Sequence, residues 1–77
     1  MSLWDLKEDE NATIERLGSG IESRHQTRMQ ELGIHPGSNI QCLKRIPFGG
    51  PRVYQVGGCV FSIARDIASH IDVRKTT

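Results

Sequence analysis

Five side chains in this sequence have the chemistry to hold a transition metal: His25, His35, His70, Cys42 and Cys59. Imidazole and thiolate ligate iron and its neighbours, and specific sites gather such ligands at short, fixed spacings. Neither Cys-x-x-Cys nor His-x-x-x-His occurs here. His25, His35 and Cys42 are the candidates for a metal contact. Their spacing predicts no specific metal site and no cofactor, at most weak binding of ferrous ion or another divalent transition metal. Cys42 and Cys59 are expected as free thiols facing the core, since free cysteine behaves as a small apolar residue.

Signatures of catalysis are absent as well. "GSGIES" (18–23) resembles a phosphate loop only in its glycines, and no Gly-Lys-Ser/Thr follows. There is no Gly-x-Ser-x-Gly elbow, no His-Glu-x-x-His and no carboxylate dyad in a usable order. At 77 residues the chain is expected to be one domain (1–77, core about 3–74), too small for a deep catalytic cavity. The expectation is a binding protein, not an enzyme.

The stretch most suited to binding is "RIPFGGPR", residues 45–52. Prolines and glycines hold Phe48 in a turned loop, with Lys44 and Arg45 before it and Arg52 after it. An aromatic at a rigid tip among basic residues has the composition of an interface anchor. The other reading is that Phe48 folds back and caps one end of the fold. Tyr54, on the strand that follows, is expected at the core edge with its hydroxyl in water.

Charge narrows the partner. Ten basic and nine acidic residues give a formal net charge of +1, and aromatics make up 5%. Neither figure favours nucleic acid. No Asp or Glu lies between Leu32 and Ala64, an interval that contains Lys44, Arg45 and Arg52. The apolar runs are too short to cross a bilayer, and the start "MSLWDLKEDEN" has no export signal. A cytoplasmic protein with reduced thiols is expected, without direct membrane insertion.

The elements that must position these residues follow from periodicity. "NATIERLG" alternates imperfectly, which predicts a strand with a kink or bulge. Ile21, His25, Arg28 or Met29, and Leu32 recur at helical spacing, with Ser23 and Gln26 as a capping box and Gly33 as the stop. "NIQCLKRI" places Ile40, Cys42 and Lys44 on one side. "RVYQV" and "CVFSI" flank a Gly57-Gly58 turn, "ARDIASH" forms a helical turn and "IDVR" closes. The order is strand, helix (about 22–32), three strands, short helical turn (about 64–69), strand. It predicts a small, closed, mainly β barrel with the helix plugging one end.

The run "TRMQELGIHPGSNIQCLKRIPFGGPRVYQVGGCVFSIARDIASHIDV" resembles the FeoA family of small ferrous-iron transport accessory proteins. It is also similar to the barrel at the C-terminus of iron- and manganese-dependent repressors. The family pattern begins with a basic and an apolar residue, then Leu-Gly-apolar and Gly, met by Arg28, Met29, Leu32, Gly33, Ile34 and Gly37. Pro47, Gly49, Pro51, Val56, Gly58, Ala68, Ile71 and Val73 match its later positions in order. The resemblance implies an SH3-like barrel and a role beside FeoB, a membrane transporter with a cytosolic GTP-binding domain. A metal-sensing or iron-delivery domain is the alternative it leaves open. It implies no catalytic residue. Within this frame Gly33, Pro36 and Gly37 form a structural turn that hands the chain from helix to strand in register.

Overall fold

Alternation and turn residues resolve into strands β1 (Asn11–Leu17), β2 (Asn39–Lys44), β3 (Arg52–Val56), β4 (Cys59–Ile63) and β5 (Ile71–Lys75). Helix α1 (Ser23–Glu31) follows β1, and the one-turn helix α2 (Arg65–Ala68) precedes β5. The computed structural model describes residues 1–76; Thr77, the last residue of the expected 1–77 unit, lies outside the described residues. The order matches the predicted one, and both helices fall inside their expected spans. The strands form one antiparallel sheet in the order β4-β3-β2-β1-β5.

Two features of the expected barrel are corrected. Its ring is not closed by hydrogen bonds, because among the described residues the end strands β4 and β5 are not paired, and α2 connects them. Nor does α1 plug it: no residue of α1 is buried, and Leu32 just beyond it is 44% exposed. The helix has too narrow an apolar face to seal a core, with only Met29 half-buried against it. A 3₁₀ turn at Leu3–Asp5, absent from the predicted elements, does this work instead. Leu3 and Leu6 are wholly buried beside Ala12, Ile14, Ile40, Cys42, Tyr54 and Val73.

The expected irregularity of β1 is a bulge. Ile14 opposes Val73 but Arg16 opposes Asp72, so one extra residue enters β1. Arg16 then pairs with Asp72 at 2.7 Å. Just past β1, the Gly18 N–H donates to the His70 carbonyl at 2.6 Å, and a Cβ on Gly18 would stand 2.5 Å from that oxygen. The backbones approach this closely only because residue 18 has no side chain.

The start of α1 differs from the predicted capping box. Glu22 is the N-cap and Ser23 lies in the first turn. Gln26 reaches back instead, its amide donating to the carbonyls of Gly18 (3.1 Å) and Ile21 (2.9 Å). The end follows expectation. Gly33 (φ +97°) donates to Gln30, and Ile34 donates to Met29 at 2.8 Å, which is the paired hydrogen bonding of a Schellman stop. Gly37 (φ +92°) then donates to Ile14, and Ile14 donates to Ser38. The corner is thus stitched to β1 before β2 begins, which sets the register of β2.

Two outcomes test these contacts. Gly37→Val places a β-branched residue at positive φ and is expected to cost about 1–3 kcal/mol. Thermal and urea melts should both register the loss, and unchanged midpoints would show that the turn does not need its glycine. The second concerns Glu10, whose carboxyl is held below its ordinary range by the Lys75 ammonium and the Lys7 backbone N–H. A carboxyl lowered in the folded state stabilises above its unfolded pKa, and that contribution is lost as pH falls through the folded value. Glu10→Gln should therefore lower Tm at neutral pH, with the gap to wild type closing in acid. A gap that persists there would assign the loss to packing.

Candidate functional site

The loop from Arg45 to Pro51 is shaped by the strands that carry it. β2 does not run straight into it: Cys42 opposes Tyr54 but Lys44 opposes Val53, a second bulge. The extra residue breaks the alternation, so Lys44 leaves the face of Ile40 and Cys42 and stands exposed. On that face Cys42 and Tyr54 are wholly buried.

Both ends of the loop are tied to the N-terminal segment. The Arg45 N–H donates to Glu8 Oε1 at 3.0 Å, and its Nε is enclosed without a hydrogen-bond partner among the described residues. The Arg52 guanidinium lies 3.6 Å from the centre of the Trp4 ring, and its Nη1 donates to the Trp4 carbonyl. A cation stacked on an indole face is held by the ring quadrupole. The Glu8 carboxylate at one end and the Arg52–Trp4 stack at the other brace the feet of the loop. Trp4 and Glu8 were not singled out from sequence. The available signal was Ser2 with Asp5 three residues on, whose carboxylate accepts from both the Ser2 N–H and hydroxyl.

The tip is placed differently. Phe48 is 106% exposed and has φ +65°. It does not cap the barrel, because the 3₁₀ turn already seals the core. Ile46 beside it is 41% exposed. The loop therefore presents one unburied aromatic ring on a braced base, next to exposed Lys44.

The other candidates are dispersed. His35 is exposed, with Nδ1 3.0 Å from the Pro36 carbonyl and 3.2 Å from Ser38 Oγ. His25 is exposed on α1, and the His70 ring lies over Gly20. Burial pushes the Cys42 thiol up, away from the thiolate that ligates metals. Cys59 is exposed beside the Gly57-Gly58 turn, at the end of β4 and not in the core as expected; β3 separates it from Cys42. Tyr54 is also corrected: its hydroxyl donates to the Leu3 carbonyl at 3.4 Å rather than to water. Burial pushes this phenol up to about 12. Among the described residues, no three of His, Cys, Asp and Glu converge on a metal-sized site. A cleft of about 750 Å³ is lined by Ser19, Gln26 and His70 with Arg16 and Asp72, but the last two satisfy each other.

Comparison with known proteins sets this geometry in a family. The structure of the FeoA protein from Chlorobium tepidum is similar, with a TM-score of 0.91 and 25% identity over 100% of this chain and 71% of that one. Stenotrophomonas maltophilia FeoA, solved with zinc and described as an SH3 domain protein, matches with a TM-score of 0.81 and 25% identity, over 96% of this chain and 89% of that one. A manganese-dependent transcriptional repressor shares the fold at 19% identity and a TM-score of 0.86, over 99% of this chain and 36% of that one. No curated protein sequence matches the chain. No helix among the described residues is long and apolar enough to cross a membrane. The FeoA domain model spans residues 1–75, taking in the helix stop at Gly33, the corner at Gly37 and the whole Phe48 loop, and the chain belongs to the FeoA family.

Proposed function

We propose that this chain is a non-enzymatic accessory protein of ferrous iron transport that binds and modulates the cytosolic part of a FeoB-type membrane transporter through the Phe48 loop. Family membership supports the iron transport role, and the Stenotrophomonas maltophilia relative is itself described as a candidate activating factor for ferrous iron transport. The observation that carries the loop assignment is the conformation of Phe48. A non-glycine residue at positive φ costs about 1–3 kcal/mol. A fully exposed ring returns nothing by burial in the folded chain. The monomer gains nothing from a phenylalanine there, whereas a partner with an apolar pocket does. Lys44 stands exposed at the rim, while the Arg45 backbone N–H on Glu8 and the Arg52 guanidinium on Trp4 hold the loop in place. The module acts on the transporter only as far as it binds one conformational state better than another.

The test pairs affinity with stability on the same variants. Phe48→Ala should weaken binding to the transporter's cytosolic part by about 2 kcal/mol or more with little change in Tm. Phe48→Gly should bind as poorly yet melt no lower than wild type, since glycine adopts positive φ without strain. Lys44→Ala should slow association and reduce its salt dependence. Arg52→Ala should lower Tm and shift Trp4 fluorescence, because it removes the stacked cation. A Phe48→Ala protein that binds like wild type removes the loop from the interface.

Metal loading is expected to play no part in this role. Anaerobic titration with ferrous ion, and separately with zinc, should reveal no site tighter than about micromolar, given the dispersed ligands. A stoichiometric submicromolar site lost on mutating His25, His35 or Cys42 would favour an iron-delivery or metal-sensing role instead.

A further inference from the structure

The two edges of the sheet are finished differently. The β5 edge is covered: Ser2 bridges to Asp72, and the Val73 N–H donates to the Met1 carbonyl. It also carries Asp72, Arg74 and Lys75, charges that discourage pairing. The β4 edge has neither protection. β3 is its only strand partner among the described residues, and the strand reads Cys-Val-Phe-Ser-Ile, without a charge, a proline or a bulge. Val60 on it is 59% exposed.

The register tells which groups are free. Val56 and Cys59 flank the two-residue Gly57-Gly58 turn, so they form a hydrogen-bonded pair, as do Tyr54 with Phe61 and Arg52 with Ile63. The N–H and C=O groups of Val60 and Ser62 therefore point away from β3, toward solvent. On the core side of the same strand, Phe61 borders an apolar groove of about 300 Å³, whose other walls are Met29, Leu32, Ile34 and Ile67.

We propose that β4 pairs antiparallel with β4 of a second copy of this chain, about a two-fold axis at Phe61, making one continuous sheet. The choice of occupant rests on self-complementarity. With Phe61 opposite the second copy's Phe61, each Val60 meets a Ser62, and every outward N–H and C=O of the two residues finds its counterpart. Cys59 then lies opposite Ile63, and no like charges meet along the strand. The axis places the two Phe61 rings in a non-hydrogen-bonded pair, where cross-strand side chains come closest, on the groove side of the sheet. A two-residue shift either way would draw Gly58 or Ala64 into the ladder in place of a strand residue, so this register uses β4 alone. The inference stands on the sheet edge and is independent of the Phe48 loop.

Sedimentation equilibrium of the full chain across micromolar to millimolar concentration tests it. The mass should rise from 8.6 kDa toward twice that value, with Tm rising alongside concentration. Hydrogen exchange at the Val60 and Ser62 amides should slow over the same range. Two variants act by different routes: Val60→Lys puts a charge on the edge, and Ser62→Pro removes one outward N–H while leaving the β3 ladder intact. Both should stay at the single-chain mass with unchanged circular dichroism and Trp4 fluorescence. Wild-type protein that remains at the single-chain mass at every concentration overturns the proposal, as does a dimer that survives both variants. If the Val60 and Ser62 amides become protected only when the transporter's cytosolic part is added, the edge belongs to a partner strand and self-pairing is wrong.

Discussion

The core of this small barrel depends on a segment outside the sheet. Five short strands leave one end of the barrel open, and Tyr54 at its centre would meet water there. The 3₁₀ turn at Leu3–Asp5 seals that end with Leu3 and Leu6, and the Leu3 carbonyl accepts the Tyr54 hydroxyl. The chain continues along β2, where Asp9 donates to the Cys42 carbonyl at 2.7 Å and Cys42 donates back to Glu10 at 3.1 Å. The same segment supplies Trp4 to Arg52 and Glu8 to the Arg45 N–H. Closing the core and bracing the Phe48 loop are therefore one structural event. Loosening the N-terminus would expose Tyr54 and free both feet of the loop together.

Most of the architecture was legible because it is written locally. Val53–Val56 and Cys59–Ile63 announce a hairpin through Gly57-Gly58, and Leu32-Gly33-Ile34 announces a helix stop whose donors and acceptors are all nearby residues. The imperfect alternation of Asn11–Leu17 pointed to a bulge for the same reason. What could not be read depends on distant partners. Nothing in "MSLWDL" says that Leu3 will lie over Tyr54, fifty-odd positions away, so the tyrosine was expected to reach water and α1 to plug the barrel. The β2 bulge was equally silent. It is a property of the pairing with β3, and it alone turns Lys44 outward. At the candidate site, sequence placed Phe48 at a tip but left open which way it pointed, and it gave no sign that Arg52 would stack on Trp4.

The glycines and the exposed aromatic mark opposite uses of unusual backbone. At Gly37 positive φ is adopted by the residue that tolerates it, and the return is a register fixed by hydrogen bonds to Ile14. At Phe48 the same region of φ is occupied by a bulky residue that makes no buried contact. Strain of the first kind is absent by choice of residue. Strain of the second kind is held in place by the braced feet and has no return within the folded chain.

Sheet geometry relates this loop to the bare edge of β4. Arg52, where the loop rejoins the sheet, lies opposite Ile63, so the loop projects from the end of β4 that is remote from the Gly57-Gly58 turn. Antiparallel pairing of β4 about Phe61 reverses that direction in the second copy. The two Phe48 tips would then stand at opposite ends of the joined sheet, clear of the interface and of each other. Such an arrangement leaves both loops free to bind, and it presents two anchors held apart by a rigid sheet. Two transporters, or two sites on one assembly, would have to match that separation before the pair gained anything over a single loop. Dimerisation of this kind would act on geometry and local concentration and would leave the chemistry of the proposed Phe48 contact unchanged.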